Sequence, residues 1–304
     1  MIGRAVAVGI ALISVVGCSS AQSSTAPSGV SETTTVTLSI GTMPPASSVS
    51  STTMEPPTTT LSPTTLWTTI VPLTTATPTT TEPVPSVADD FLGEETIGYS
   101  AQGRPIVASH RGTAGGTVVL VVGVIHGNEN AGLAVLDDLR TMPLQPGVDL
   151  WLMDAMNPDG LANDARHNGN GVDLNRNFPH DWTQVAVPGD WEYSGTGPAS
   201  EPETQAFMAF ADRIRPALTL WYHQDLYRIS PSNRSDGPLR TRYAEITGLP
   251  IISVTGGTYT GVAATWVRTT VPDAMSFIIE LGPALSAEEA LVHATAVLDI
   301  ITLI

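Results

Sequence analysis

From about residue 88 to the C-terminus, short apolar segments alternate with amphipathic segments of helical spacing. Residues 117–124 are continuously apolar and rich in β-branched side chains, which indicates a strand buried on both faces. Further strands are predicted at four other apolar segments, 149–153, 217–222, 250–254 and 276–281. Because helical patterns separate these strands, the sequence predicts an α/β sandwich with a mixed, mostly parallel sheet flanked by helices.

Three amphipathic segments predict helices. The first spans residues 130–142, and the other two follow predicted capping boxes at 200–203 and 286–289, each with Ser at the first position and Glu at the fourth. The positions expected to face the core are Leu133, Leu136, Leu139, Met142, Phe207, Phe210, Ile214, Leu291, Ala294, Leu298 and Ile301.

The first 18 residues have the pattern of a lipoprotein signal peptide. Arg4 supplies a positive charge, and the apolar run 5–16 is shorter than the roughly 20 residues that span a bilayer. Val-Val-Gly-Cys at 15–18 resembles the bacterial lipobox, in which the cysteine carries the lipid. We therefore expect an extracytoplasmic protein anchored to the bacterial cell membrane through Cys18, or a secreted one if the lipobox is not used.

Residues 19–88 have a composition that disfavours a folded core. Ser, Thr and Pro supply 44 of these 70 residues. Such a segment buries too little apolar surface to offset its ordering entropy, so a disordered stalk is predicted. The folded domain is then expected at 89–304, a length sufficient for one sizeable core.

Composition excludes several classes of chemistry. The 304 residues contain no lysine, so a Walker A phosphate loop and a Schiff base are both excluded. One cysteine allows neither an intrachain disulfide nor a cysteine-built zinc site. A formal net charge of −16 argues against a nucleic-acid partner, which needs clustered positive charge.

Two predicted strands end in residues that suit a metal. The strand 117–124 is followed by His126 and Glu129, and the strand 217–222 is followed by His223. Ligands of parallel sheets bind at the carboxyl ends of strands. Two histidines and one glutamate form the His₂Glu donor set that is known from catalytic zinc sites. Taken alone, however, a His-x-x-Glu sequence is more often an exposed surface pair than part of a metal site.

A series of motifs carries a more specific signal. These are Ile-Gly-Tyr-Ser-Ala-Gln-Gly-Arg-Pro-Ile at 97–106, Asn-Pro-Asp-Gly at 157–160, Gly-Val-Asp-Leu-Asn-Arg-Asn-Phe at 171–178, Ser-Gly at 194–195, Ser-Glu-Pro-Glu-Thr at 200–204 and Phe-Ile-Ile-Glu-Leu-Gly at 277–282. Their order and content resemble the zinc carboxypeptidase family, peptidase family M14, over nearly the whole domain. In length the domain is similar to the small bacterial murein peptide amidases of that family.

The resemblance implies a role for each matching residue. His126, Glu129 and His223 would bind one zinc ion per chain, and Glu280 would take a proton from the zinc-activated water and pass it to the leaving amine. Arg166 matches the arginine that stabilises the oxyanion.

The resemblance also assigns the substrate contacts. Asn175 and Arg176 match the pair that holds a free carboxylate of the substrate. The substrate-covering tyrosine of the family has no clear counterpart, although Tyr259 lies near its place. Residues 255–272 contain no acidic side chain, which argues against a substrate with a basic side chain.

The expected activity is hydrolysis of a peptide amide next to a free carboxylate, on a peptidoglycan stem peptide or on peptides in general. Two alternatives stay open at the level of sequence. The first is an aspartoacylase-like deacylase of N-acyl amino acids, which shares His-Gly-Asn-Glu and the Asn-Arg pair. The second is an inactive homologue that binds peptides.

Overall fold

The computed structural model describes residues 90–257 and 259–304, so the predicted signal peptide with Cys18 and the predicted stalk lie outside the described residues. Its strands are β1 (Phe91–Tyr99), β2 (Pro105–Gly112), β3 (Thr117–Val124), β4 (Val148–Ala155), β5 (Leu218–Gln224), β6 (Arg228–Ile229) and β7 (Met275–Leu281). Its α-helices are α1 (Gly132–Leu139), α2 (Pro158–Ala162), α3 (Pro202–Ile214), α4 (Gly237–Thr247), α5 (Ala263–Thr270) and α6 (Ala287–Ile301). A 3-10 turn spans Leu174–Arg176.

The strands form one mixed sheet in the order β1-β2-β4-β3-β5-β7-β6. The four central strands, β4, β3, β5 and β7, are parallel, whereas β1, β2 and β6 pair antiparallel at the two edges. The predicted α/β architecture is therefore confirmed. Because the central strands are parallel, their carboxyl ends meet at one edge, which is where ligands bind in such sheets.

Both faces of the sheet are covered. One apolar cluster joins the sheet to α1, α4 and α6, and the other joins it to α3 and α5. Along β3, Val119 and Val121 belong to the first cluster and Leu120 and Val122 to the second, and all four are fully buried. The continuous apolar run of β3 is thus explained by its central place between two helical layers.

The helix predicted at 130–142 is confirmed in a shorter form, as Gly132–Leu139. The capping box predicted for α6 is present, since Ser286 Oγ accepts from the Glu289 backbone N–H while the Glu289 carboxylate accepts from that of Ser286. Such a cap stabilises a helix by about 1 kcal/mol. Leu291 of this helix is exposed rather than buried, because Ala290 and His293 take the core-facing positions beside Ala294.

The capping box predicted at 200–203 is wrong, although the helix that follows it is present. The N-cap of α3 is Glu201, and no side chain caps it. Ser200 Oγ instead donates to the Glu201 carboxylate at 2.7 Å. The Glu203 carboxylate accepts from the backbone N–H of Ala101 at 2.8 Å and from Asn168 at 3.0 Å, so it ties α3 to distant segments instead of to its own first turn.

The strand predicted at 250–254 is also wrong. Only a single bridge joins Ile251 to Ile229, and Ile251, Ile252 and Val254 are exposed. The edge beside β7 is taken by the short strand β6, which pairs antiparallel with it. Apolar residues at 250–254 thus pass over the outside of this edge. Within the described residues, no helix is both long enough and apolar enough to cross a membrane.

Candidate metal and substrate site

Three predicted ligands converge at the carboxyl edge of the sheet. His126 lies two residues beyond β3, Glu129 lies in the turn that follows, and His223 is on β5; all three are buried. Glu129 joins the two histidines, because its Oε1 is 2.9 Å from His126 Nδ1 and its Oε2 is 2.9 Å from His223 Nδ1. The donor atoms of the three residues lie within 4.8 Å of one another.

This donor set fits a zinc ion. Tetrahedral zinc bonds nitrogen and oxygen at about 2.0–2.1 Å, which separates neighbouring donor atoms by roughly 3.4 Å. Both histidines direct Nδ1 at the Glu129 carboxylate, so two imidazole nitrogens and a carboxylate face one point. Among the described residues, His126, Glu129 and His223 are the three side chains of metal-ligating type that lie close enough together to hold an ion.

Asp173 orients the first ligand, and sequence analysis assigned it no role. It is fully buried, and its Oδ1 lies 2.9 Å from His126 Nε2. A carboxylate at Nε2 favours the tautomer that leaves Nδ1 free for a metal. Burial acts to raise the pKa of Asp173, but His126 and Arg166 outweigh burial and hold that pKa well below its ordinary value. Asp173 lies inside the motif at 171–178, and this position is the one feature of the sequence from which its role could have been predicted.

Arg166 borders the donor atoms. Its guanidinium donates twice to the Asp173 carboxylate, from Nε at 3.1 Å and from Nη2 at 2.6 Å. Nη1 lies 3.0 Å from Glu129 Oε1 and 3.1 Å from His126 Nδ1. The ring of Trp191 lies 4.8 Å from the guanidinium carbon. The structure thus brings Arg166 to the predicted site and holds it there by a buried carboxylate.

Glu280 reaches the site through strand pairing. It lies directly opposite His223 in the parallel register of β5 and β7. Its Oε2 is buried and has no hydrogen-bond partner among the described residues. Burial is the main cause that raises the pKa of Glu280, and the nearby Glu129 carboxylate adds to it. An unpartnered carboxylate with a raised pKa beside the donor cluster has the properties of a general base.

Asn175 and Arg176 lie in the 3-10 turn and are both buried. Asn175 Oδ1 accepts from the backbone N–H of Ala263 at 3.0 Å, which leaves the amide NH₂ as the donor for a ligand. Arg176 donates to the Glu192 carboxylate at 2.5 Å, and the exposed ring of Tyr259 lies 5.5 Å from its guanidinium carbon. Tyr259 is therefore a candidate for the substrate-covering tyrosine.

A close backbone contact supports the ligand loop. A Cβ atom on Gly127 would lie 1.8 Å from the carbonyl carbon of Gly160, so only glycine fits between the two ligands His126 and Glu129. Asn157 connects the same segments, since its Nδ2 donates to the Ile125 carbonyl at 3.1 Å and to the Arg166 carbonyl at 3.2 Å. The Asn-Pro-Asp-Gly motif thus positions the His126 loop and the Arg166 segment together.

Comparisons with known proteins agree with this geometry. The family model described as zinc carboxypeptidase matches residues 88–229. Murein peptide amidase A of Escherichia coli is 33% identical over 187 residues, which cover 57% of this chain and 76% of that protein. Its counterpart in Vibrio campbellii is 28% identical over 186 residues, which cover 56% of this chain and 73% of that protein.

Solved structures match over a similar range. A murein-tripeptide amidase from Escherichia coli superposes with a TM-score of 0.58 at 28% identity and covers 73% of this chain and 97% of its own. A carboxypeptidase A from Helicoverpa armigera, at 18% identity, shares the fold with a TM-score of 0.61 over 71% of this chain and 68% of its own. Its motifs, its fold and these matches show that the chain belongs to the zinc carboxypeptidase family of metallopeptidases.

Proposed function

We propose that this metallopeptidase hydrolyses an amide bond next to a free carboxylate, with Glu280 as the general base. The observation that carries the proposal is the register of β5 and β7, which sets the unpartnered Glu280 opposite the ligand His223. The Asn175 and Arg176 pair lies beside the same site, because Asp173 accepts both from the Asn175 backbone N–H and from His126. The pair can supply the contacts that a free carboxylate requires.

His126, Glu129 and His223 would hold one zinc ion per chain. When bound, zinc supplies a Lewis acid that polarises a carbonyl oxygen and lowers the pKa of water to near neutrality. Asp173 keeps His126 Nδ1 available for the metal by accepting a hydrogen bond from Nε2.

Protein side chains bind the substrate, stabilise the developing negative charge and transfer the proton. Arg176, with Asn175, binds the substrate carboxylate and so fixes the distance from the chain end to the scissile bond. Arg166 presents a positive charge where negative charge develops on the scissile carbonyl oxygen. Glu280 accepts the proton of the attacking water and returns it to the leaving amine, which is consistent with its raised pKa.

The names of two relatives support a substrate class. Proteins named murein peptide amidase match most of their own length to this chain. We therefore infer that peptidoglycan stem peptides are the substrates, and peptides in general are the second candidate because carboxypeptidases share the fold. Product analysis of muropeptides and simple C-terminal peptides, treated side by side, separates these two classes.

The Glu280→Gln substitution tests the proposed mechanism. The amide keeps the size of the side chain but cannot accept the proton, so hydrolysis should fall by about 10²- to 10⁴-fold. Zinc content, measured by mass spectrometry of the metal, should stay at the wild-type value. A variant that hydrolyses peptide at the wild-type rate would remove the general-base assignment.

A matched control is Glu245→Gln on the exposed side of α4, which should leave hydrolysis unchanged. The deacylase alternative would appear as hydrolysis of N-acetyl amino acids without hydrolysis of peptides. The inactive-homologue alternative would appear as a wild-type protein that hydrolyses neither.

We propose, finally, that the protein is extracytoplasmic and lipid-anchored. The support for this is the sequence of the first 18 residues, which end in the lipobox-like segment with Cys18. A cell-surface position would bring the domain close to peptidoglycan.

A further inference from the structure

One exposed loop contacts both arginines that the proposed function assigns to the substrate. The loop 186–192 is exposed at every position but the last. The ring of Trp191 lies 4.8 Å from the Arg166 guanidinium carbon, and the next residue, Glu192, accepts a hydrogen bond from Arg176 Nη2 at 2.5 Å. Two consecutive residues of this loop therefore lie against the proposed oxyanion-stabilising arginine and the proposed carboxylate-binding arginine.

The end of this loop is fixed beside the site. The Ser194 backbone N–H donates to the Val185 carbonyl at 3.2 Å, and the Val185 N–H donates to Ser194 Oγ at 2.9 Å. Tyr193 is buried, and its carbonyl accepts from the Asp173 backbone N–H at 2.8 Å. Because Glu192 directly precedes Tyr193, its backbone is held next to the segment that carries the carboxylate clamp.

Arg176 has few N–H groups to offer a ligand, because only 7% of its side chain is exposed. Its Nη1 donates to the Asn175 carbonyl at 3.0 Å, and its buried Nε has no hydrogen-bond partner among the described residues. A guanidinium group binds a carboxylate bidentately through Nη2 together with either Nε or Nη1. Both arrangements include Nη2, which is the nitrogen that Glu192 contacts.

Two carboxylates at Arg176 would oppose each other. On one guanidinium group they would lie about 5 Å apart, and like charges at that distance weaken binding by about tenfold or more even where solvent screens them. A substrate carboxylate has the stronger set of contacts, since the amide NH₂ of Asn175 is available to it in addition to the guanidinium. The substrate is therefore expected to replace Glu192 rather than to bind beside it.

The contacts of Glu192 differ from those of a fixed partner. Asp173 is fully buried and accepts from His126, from Arg166 and from a backbone N–H. Glu192 has a single hydrogen bond in the described part of the chain, and 36% of its side chain is exposed. Returning such a carboxylate to water costs little, because an exposed ion pair contributes little to stability.

We propose that Glu192 is an internal competitor of the substrate carboxylate, which occupies Arg176 in the free protein and gives way when the substrate binds. This inference rests on the proposed function, in which Asn175 and Arg176 hold that carboxylate. The exchange keeps a buried cation paired in both states. It also favours release of the product, since the returning Glu192 displaces the carboxylate of the residue that has been split off.

The Glu192→Gln substitution tests the proposal, because it keeps the size of the side chain and its acceptor oxygen but removes the charge. For N-benzoylglycyl-alanine and zinc-loaded protein, KM should fall by about tenfold or more while kcat stays within about threefold of wild type, since only binding of the carboxylate has changed. If Glu192 merely orients Arg176, KM should rise instead. An unchanged or increased KM would overturn the inference.

Binding measurements separate this inference from the proposed function. Calorimetry compares zinc-loaded Glu280→Gln protein with the double variant that also carries Glu192→Gln. N-benzoylglycyl-alanine should bind the double variant about tenfold or more tightly, whereas N-benzoylglycyl-alaninamide, which lacks the free carboxylate, should bind both proteins equally. Equal affinities for the carboxylate peptide, or no binding by either protein, would overturn the inference. The expected binding together with a wild type that hydrolyses neither peptide would refute the proposed function alone.

Two further variants show whether the effect is local. Glu192→Asp keeps the charge on the same loop and should bind the carboxylate peptide within about threefold of wild type, because the repulsion remains. Glu245→Gln removes the same charge from the exposed side of α4 and should leave the affinity unchanged. Tighter binding by Glu245→Gln would assign the effect to the net charge of the protein and contradict the role of Glu192.

Discussion

At the residue scale, Asp173 holds two parts of the site together. Its carboxylate accepts from His126 Nε2, from the Arg166 guanidinium and from the backbone N–H of Asn175. One buried anion therefore orients a metal ligand, the proposed oxyanion-stabilising arginine and the start of the carboxylate clamp. Loss of its charge should therefore weaken metal binding.

We expect Asp173→Asn to weaken zinc binding by about 10- to 100-fold, which is the usual cost of losing a partner of a histidine ligand. A competition titration against a chelator of known affinity measures this change without reference to activity. The control Asp181→Asn alters an exposed aspartate and should leave the affinity unchanged. An Asp173→Asn protein that binds zinc as tightly as wild type would contradict the orienting role.

At the element scale, α6 is packed against the sheet through a buried histidine. His293 Nδ1 accepts a hydrogen bond from the Tyr243 hydroxyl of α4 at 2.7 Å, and Tyr243 in turn contacts the Tyr222 hydroxyl of β5 at 3.0 Å. Burial lowers the pKa of His293 to about 4, and the opposing effect of Glu289, one turn earlier, does not restore it. α6 therefore docks with a neutral imidazole.

This buried imidazole predicts a pH dependence of stability. The unfolded chain, with an ordinary pKa of 6.5, takes up a proton at a higher pH than the folded chain does. Stability from this group is therefore complete above pH 6.5 and decreases as the pH falls towards 4. The free energy of unfolding should fall by about 2 kcal/mol between pH 7 and pH 5 on account of His293.

Urea unfolding of wild type and His293→Gln at both pH values measures this contribution. The variant should lose about 2 kcal/mol less than wild type over the same interval, since other titrating groups are common to the two proteins. His180→Gln, at a more exposed position, should follow wild type. Equal losses in wild type and His293→Gln would show that the imidazole is not the cause.

At the scale of the whole molecule, the acidic charge is unevenly distributed. The sequence carries 29 acidic and 13 basic side chains, yet three arginines line one cavity between the α4 segment and α5. General acidity favours solubility. We propose that the N-terminal residues hold this acidic domain at the cell surface.

Membrane fractionation of Cys18→Ser tests that placement. Without the cysteine, no lipid can be attached, so the variant should move from the membrane fraction to the soluble fraction, and incorporation of labelled fatty acid should stop. Ser19→Ala changes the adjacent residue and should remain with the membrane. A Cys18→Ser protein that also remains there would contradict the lipid anchor.

Much of the site was predictable because its residues follow strands. His126, Glu129 and His223 come just after or within apolar segments whose parallel pairing could be expected, and the structure brings them together. Glu280 was predicted from the resemblance of its strand, and the register with His223 explains its place.

Two predictions made from local sequence patterns were wrong because contacts with distant segments decided the structure. Glu203 binds Ala101 and Asn168 instead of capping its helix, and the short β6 occupies the edge beside β7.

The sequence by itself determined the alternation of strands and helices, the metal-ligand candidates and the family, since these depend on local pattern and motif order. Only the tertiary structure showed that Asp173 joins His126 to Arg166, and that Arg234, Arg240 and Arg268 from three segments face one cavity. The physical reason is that an ion pair or an unpaired charge depends on what packs within a few ångströms of it. That distance is decided by how α4 and α5 dock on the sheet, which no local pattern encodes.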